Sequence, residues 1–132
     1  MSNLAKDQVV VTVPADPTYV AVLRTTTAVL AARLDFSIDE IEDLRIVVDE
    51  AAALLIAKAA ADAALECRLR THTEGLALTL SCRLTPGSAP AQDGFAWTVL
   101  EALSDGVRLG QQDGASTVHI VRRRGRPRGE DG

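Results

Sequence analysis

Asp49 and Glu50 stand side by side inside an apolar, alanine-rich run, Ile46-Val-Val-Asp-Glu-Ala-Ala-Ala-Leu-Leu-Ile56. A carboxylate beside the buried face of a helix can serve as a general base or align a metal-bound water. Taken by residue type alone, the pair reads first as surface or helix-end charge. His72 and His119 lie far apart among alternating, strand-like residues, and no Cys, Asp or second His is spaced to share a metal with either. Both read as exposed strand positions. No G-x-S-x-G elbow surrounds a serine, and neither G-x-x-x-x-G-K-[ST] nor G-x-G-x-x-G occurs. Cys67 and Cys82 lack metal-ligand spacing and fall in strand-like segments, which reads as two buried, reduced thiols of a cytoplasmic protein.

The elements that must position these residues follow from periodicity and punctuation. Gln8 to Val13 (QVVVTV) is short and β-branched, a strand closed by Pro14-Ala15-Asp16-Pro17. Asp16 suits a helix cap and Pro17 the first helical position, and Val20, Leu23, Thr27 and Leu30 form one apolar stripe running to about Leu34. Asp35-Phe36 breaks that helix. Ser37-Ile-Asp-Glu40 is a capping box for a second helix with Ile41, Leu44, Val47 or Val48, Ala51 and Leu55 inward, continuing towards Ala60. Seven acids lie between Asp35 and Glu50, mostly near the start of this helix, where its dipole favours them.

Cys67, Leu69 and Thr71, then Leu76, Leu78, Leu80, Cys82 and Leu84, alternate with polar or small residues as a hairpin with one buried face. Thr85 to Asp93 (TPGSAPAQD) reads as a loop, and a short helix follows through Trp97, Leu100 and Leu103. A last hairpin joins Val107–Leu109 to Thr117–Val121 through Gln111-Gln-Asp-Gly114. This order predicts an α+β two-layer sandwich: a mostly antiparallel mixed sheet with helices on one face.

The 132 residues suffice for one domain, and 47% hydrophobic with 24% charged residues is globular usage. No apolar run approaches the ~20 residues of a membrane span, and Met1-Ser-Asn3 leads into Lys6 and Asp7 rather than a signal peptide. Charge is unevenly spread. Residues 122–132 hold five arginines and two acids, leaving nine of the 14 basic and 16 of the 18 acidic side chains in a body of −7. Such a body repels nucleic-acid phosphates, and the run Arg122-Arg-Arg-Gly-Arg-Pro-Arg-Gly129 reads as a solvated, frayed terminus. The domain is expected over 1–124 and a basic, disordered tail over 125–132.

The run from Asp43 to Ile56, an aliphatic stretch leading to Asp49-Glu50, resembles the second helix of the bacterial anti-sigma factor and serine-protein kinase family. These are single domains of the GHKL, histidine-kinase-like ATPase fold. Glu50 falls on the Glu of the family's E-x-x-x-N, and Ala21-Val-Leu-Arg24 resembles its Arg-bearing first helix. Thr98–Val107 and Gly114–Arg123 resemble its last helix and final strand, so the likeness spans roughly residues 8 to 124.

Departures from the family pattern concentrate on the nucleotide. Where the family's magnesium-binding Asn stands, this chain has Leu54. The D-x-G-x-G of the adenine site falls on Ser81-Cys-Arg-Leu-Thr-Pro-Gly87, with no Asp and one Gly. The G-x-G before the last helix becomes Gly94-Phe-Ala-Trp97, where Phe95 and Trp97 are expected to obstruct phosphates. The resemblance thus implies an anti-sigma factor that sequesters an alternative sigma factor and is released by an anti-anti-sigma STAS protein. It implies a homodimer paired through the sheet edge and first helix, Arg24 as the partner contact, no metal and no cofactor. The alternative it leaves is a kinase phosphorylating the STAS protein with ATP and Mg²⁺, Glu50 being the catalytic base.

Overall fold

A computed structural model describes residues 7–125. Strand β1 (Gln8–Pro14) leads through one 3₁₀ turn (Pro17–Tyr19) into α1 (Val20–Arg33), followed by α2 (Ile38–Ile56). Strands β2 (Ala64–Thr71) and β3 (Gly75–Cys82), helix α3 (Phe95–Leu103) and strands β4 (Gly106–Gln112) and β5 (Ala115–Arg123) complete the chain. The sheet order is β1-β2-β3-β5-β4. Every pairing between these strands is antiparallel, so the expected mixed character is not found among the described residues.

Local chemistry fixes the joints. Asp16 accepts from the Thr18 N–H at 2.8 Å and Pro17 opens the 3₁₀ turn, which delays the α-helix to Val20. Asp35 closes α1 in the left-handed region at φ 65°, with Phe36 N–H reaching back to Ala31 and Asp35 N–H to Ala32, a Schellman-type ending. The capping box is complete: Ser37 Oγ accepts from Glu40 N–H at 3.1 Å and Glu40 Oε1 accepts from Ser37 N–H at 2.8 Å. The last turn is tighter than the sequence suggested. Gln111 and Gln112 belong to β4, and Asp113-Gly114 alone turn the chain with φ of 54° and 82°, as a type I′ hairpin requires. Gly75 is fixed by a close approach, since a Cβ there would lie 2.2 Å from the Arg122 carbonyl oxygen.

One face of the sheet meets the helices. Val13, Leu65, Cys67, Leu69, Leu76, Leu78, Leu80, Cys82, Val118 and Ile120 join Leu23, Leu44, Val47, Val48, Leu55 and Leu100 in a single aliphatic core. Both cysteines are free and buried there. Burial pushes the Cys67 thiol up to about 12, with Glu66 adding to it, and raises Cys82 against the opposing charge of Arg83. Neither is a nucleophile at neutral pH. Ellman's reagent should therefore find almost no thiol in the native chain within minutes and both after unfolding in guanidinium; fast native reaction of either would contradict this packing.

The C-terminal arginines do not fray as the composition implied. Arg122 continues the inward alternation of Val118 and Ile120 and is 1% exposed, one of the most buried large side chains. Its guanidinium donates to the Leu103 carbonyl at 2.8 Å and pairs with Asp43 at 3.2 Å. The Arg123 N–H donates to Asp105, and the Arg124 guanidinium donates to the Leu34 and Thr73 carbonyls. The expected tail beyond Gly125 lies outside the described residues.

Glu40 completes this latch by accepting the Gly125 N–H at 2.6 Å. Burial by itself raises the Glu40 carboxyl. The backbone N–H groups of Ser37 and Gly125, the Ser37 side chain and the Arg122 charge outweigh it and hold the group below its ordinary 4.5. A folded value below the unfolded one gives stability that is complete above about pH 4.5 and lost as pH falls through the folded value. Glu40→Gln should lower stability at pH 7 and flatten the acid limb below about pH 4.5. Urea melts across pH 3–7 would show this, and parallel limbs for the two proteins would refute it.

Candidate functional site

Arg24 and Asp49 are 25 residues apart, yet α1 and α2 are antiparallel around the turn at Asp35–Ser37, so positions equidistant from that turn meet. The Arg24 guanidinium lies 2.6 Å from the Asp49 carboxylate, both side chains being partly exposed. Glu50 lies beside them. With Pro17, Val20, Ala53 and Ile56 these three residues line one open groove of about 320 Å³ between the start of α1 and the second half of α2. The two site residues read from the sequence, Arg24 and Glu50, are thus brought together. Asp49 neutralises the arginine in the free chain. The pairing was legible in principle, because the spacing about the helix break sets which residues face each other.

The groove has a cation, two carboxylates and an apolar floor, which suits recognition of a partner side chain. It does not suit a magnesium-bridged nucleotide. Leu54 belongs to the same buried cluster as Trp97 and Leu100 and offers hydrocarbon where a hard oxygen ligand is needed. Among the described residues no group of three His, Cys, Asp or Glu side chains is placed to hold a metal. The segment expected to read adenine is tied down instead: Leu84 bridges to Ala59, Thr85 N–H donates to the Lys58 carbonyl, and Lys58 Nζ donates to the Ala89 carbonyl at 2.7 Å.

The two aromatic residues in the first turn of α3 behave differently from each other. Trp97 turns into the core, which corrects the expectation that it blocks phosphates, while Phe95 is 76% exposed at the helix start. Gly94 stands at the N-cap with no side-chain cap bond. The histidines also depart from the reading as exposed positions. His72 lies just past β2 and is partly buried, and the partly buried His119 ring bonds Thr79 Oγ1 at 3.0 Å and Thr117 Oγ1 at 3.1 Å.

Comparison with known proteins agrees with this geometry. No protein-family model matches the chain. It is 47% identical over 51 residues to the serine-protein kinase RsbW of Bacillus subtilis, covering 39% of this chain and 31% of that protein. It is 32% identical over 88 residues to the anti-sigma-F factor RsbW of Mycobacterium tuberculosis, covering 67% of this chain and 52% of that protein. The chain therefore spans from a third to a half of the length of these relatives. Among solved structures, the RsbU and RsbW domains of Rv1364c from Mycobacterium tuberculosis superpose with a TM-score of 0.69 at 14% identity, over 89% of this chain and 33% of that one. This last likeness bears on the fold, a GHKL-type α+β sandwich. With the identity to the named relatives and the Glu50-bearing second helix, the chain belongs to the family of bacterial anti-sigma factors and serine-protein kinases.

Proposed function

We propose that this chain is an anti-sigma factor that sequesters an alternative sigma factor in the cytoplasm and releases it to a competing anti-anti-sigma STAS protein. One observation carries the reading: α1 is apolar on both sides. Its inner stripe fills the core, while Val22 and Val29, 45% and 54% exposed, form an outer stripe with Tyr19 that none of the described residues covers. A lone exposed valine needs no explanation, but a second apolar stripe on one helix marks a docking face. Arg24, two residues on from Val22, lies on the other flank of the helix, in the groove with α2, so α1 offers hydrocarbon on one flank and a guanidinium on the other. The names of the relatives, an anti-sigma-F factor among them, support the same partner class.

No helix among the described residues is long and apolar enough to cross a membrane. A homodimer is part of the reading, two-fold symmetry being the commonest closed arrangement, and light scattering should give twice the 14.0 kDa of the chain.

The proposal includes no catalytic step and no cofactor. With Leu54 at the metal position and the adenine segment bound to the turn that follows α2, ATP–Mg²⁺ should bind more weakly than about 1 mM, under ~4 kcal/mol. Phosphate transfer to a STAS protein should be undetectable. Calorimetry finding a micromolar ATP site, or labelled phosphate on that protein, would replace this reading with the kinase in which Glu50 is the base.

A further inference from the structure

The sheet face turned away from the helices is a second site of a different character. Strand register places Val10, Arg68, Thr79, His119 and Arg108 in one row across all five strands on that face. The next row carries Gln8, Arg70, Ala77 and Val121. Arg68, Arg70 and Arg83 line an open groove of about 770 Å³ there, with Glu66 and Asp113 as its acids. Glu66 is engaged with Arg68 at 3.2 Å. Arg70, Arg83 and Arg108 have no carboxylate partner among the described residues, so the face is positive on a chain of net charge −4.

The floor is built rather than incidental. His119 uses both ring nitrogens on Thr79 and Thr117, which fixes the imidazole against the sheet. Gly110, opposite Thr117, leaves the space above it open, since a Cβ there would meet Thr117 Oγ1 at 2.9 Å. Burial, then the charges of Arg108 and Arg70, keep the ring below its ordinary 6.5, so the floor stays neutral and polar at pH 7. Cations flank it on β2 and β4, three strands apart, a span of about 14 Å at strand spacing.

We infer that this open sheet face binds an acidic protein segment, with carboxylates about 14 Å apart meeting the arginines of β2 and β4 and polar backbone lying over His119, Thr79 and Thr117. Charge complementarity selects an anion. A nucleic acid fits less well. Apart from the His119 ring, which is tied down through both its nitrogens, the face carries no aromatic side chain among the described residues on which a base would stack, and the surrounding negative charge repels a long polyanion more than a short segment within one Debye length of ~8–10 Å. The inference does not depend on the α1 docking face, which lies on the helical layer.

Fluorescence anisotropy with a labelled decaglutamate peptide and the full chain tests it. Binding should be saturable in low salt, weaken steeply between 50 and 200 mM salt, and fall at least tenfold in R70E and in R108E. Both residues are exposed, and unchanged circular dichroism would confirm that the variants are folded. No saturable binding, or binding by either variant equal to that of the parent, would overturn the inference. So would tighter binding of a ten-nucleotide oligouridylate, which makes the face a nucleic-acid surface. A mass in light scattering that changes with R108E would overturn it by making the face an interface between copies.

Discussion

Arg122→Ala should cost the fold about 3 kcal/mol and lower the melting temperature by roughly 10 °C or more. The side chain is almost wholly buried, and its guanidinium joins three elements: β5, which carries it, α2 through Asp43, and the end of α3 through the Leu103 carbonyl. Truncation leaves a cavity, an unpaired carbonyl and a carboxylate without its cation. The carboxylate keeps some contact with water, its side chain being 20% exposed, so the expected loss lies at the low end for a broken buried pair. Among the described residues the Arg122 Nε meets no acceptor. Arg122→Met therefore separates packing from pairing: it refills the cavity and should recover about half of the loss. Denaturant melts of the three proteins check this, and an alanine variant within ~1 kcal/mol of the parent would show that the latch contributes little.

The second large effect is on binding. Arg24→Ala should weaken capture of the sigma factor by at least ~30-fold, about 2 kcal/mol, with the melting temperature nearly unchanged. The stability half follows from the Asp49 pair being partly exposed, where ion pairs contribute about 0–1 kcal/mol. The binding half follows from desolvation, because a partner seated in the groove between α1 and α2 excludes water from a guanidinium already held by Asp49. Asp49→Asn keeps Arg24 and loosens its restraint, so it should move affinity by no more than a few-fold. A titration in which Arg24→Ala matches the parent would remove Arg24 from the interface, and equal losses for both variants would assign the effect to the pair.

The fold was largely legible because its signals are local. Ser37 and Glu40 three residues apart, Asp35 before Phe36, and the alternation over residues 67–71 and 76–84 each act over a few residues. The start of α2 and the β2–β3 hairpin formed on those signals, while α2 stops at Ile56, short of the expected Ala60. Arg122 was misread because composition outweighed periodicity. A run of arginines beside glycine and proline looks solvated, yet the Val118, Ile120, Arg122 alternation already pointed inward. The mixed character was read from the order of elements and had no signal in the strands themselves, every described pairing being antiparallel.

The site was legible in part. Glu50 and Arg24 came from resemblance to the family, and their shared groove depends on helix pairing, which symmetry about Asp35–Ser37 encodes. The outward arginines of β2 were visible as alternation. Their meeting with Arg108 was not, because it depends on β5 being inserted between β3 and β4, an order that no local pattern in the chain specifies. Trp97 was assigned to the phosphate site by position, whereas its large apolar surface favours the core over solvent.

The dissociation constant of the full chain for its cognate alternative sigma factor, measured with and without ATP–Mg²⁺, tests the central claim most directly. The account predicts tight, saturable binding that is the same under both conditions and at least ~30-fold weaker for Arg24→Ala. Absence of binding, or binding that appears only with the nucleotide, would contradict it.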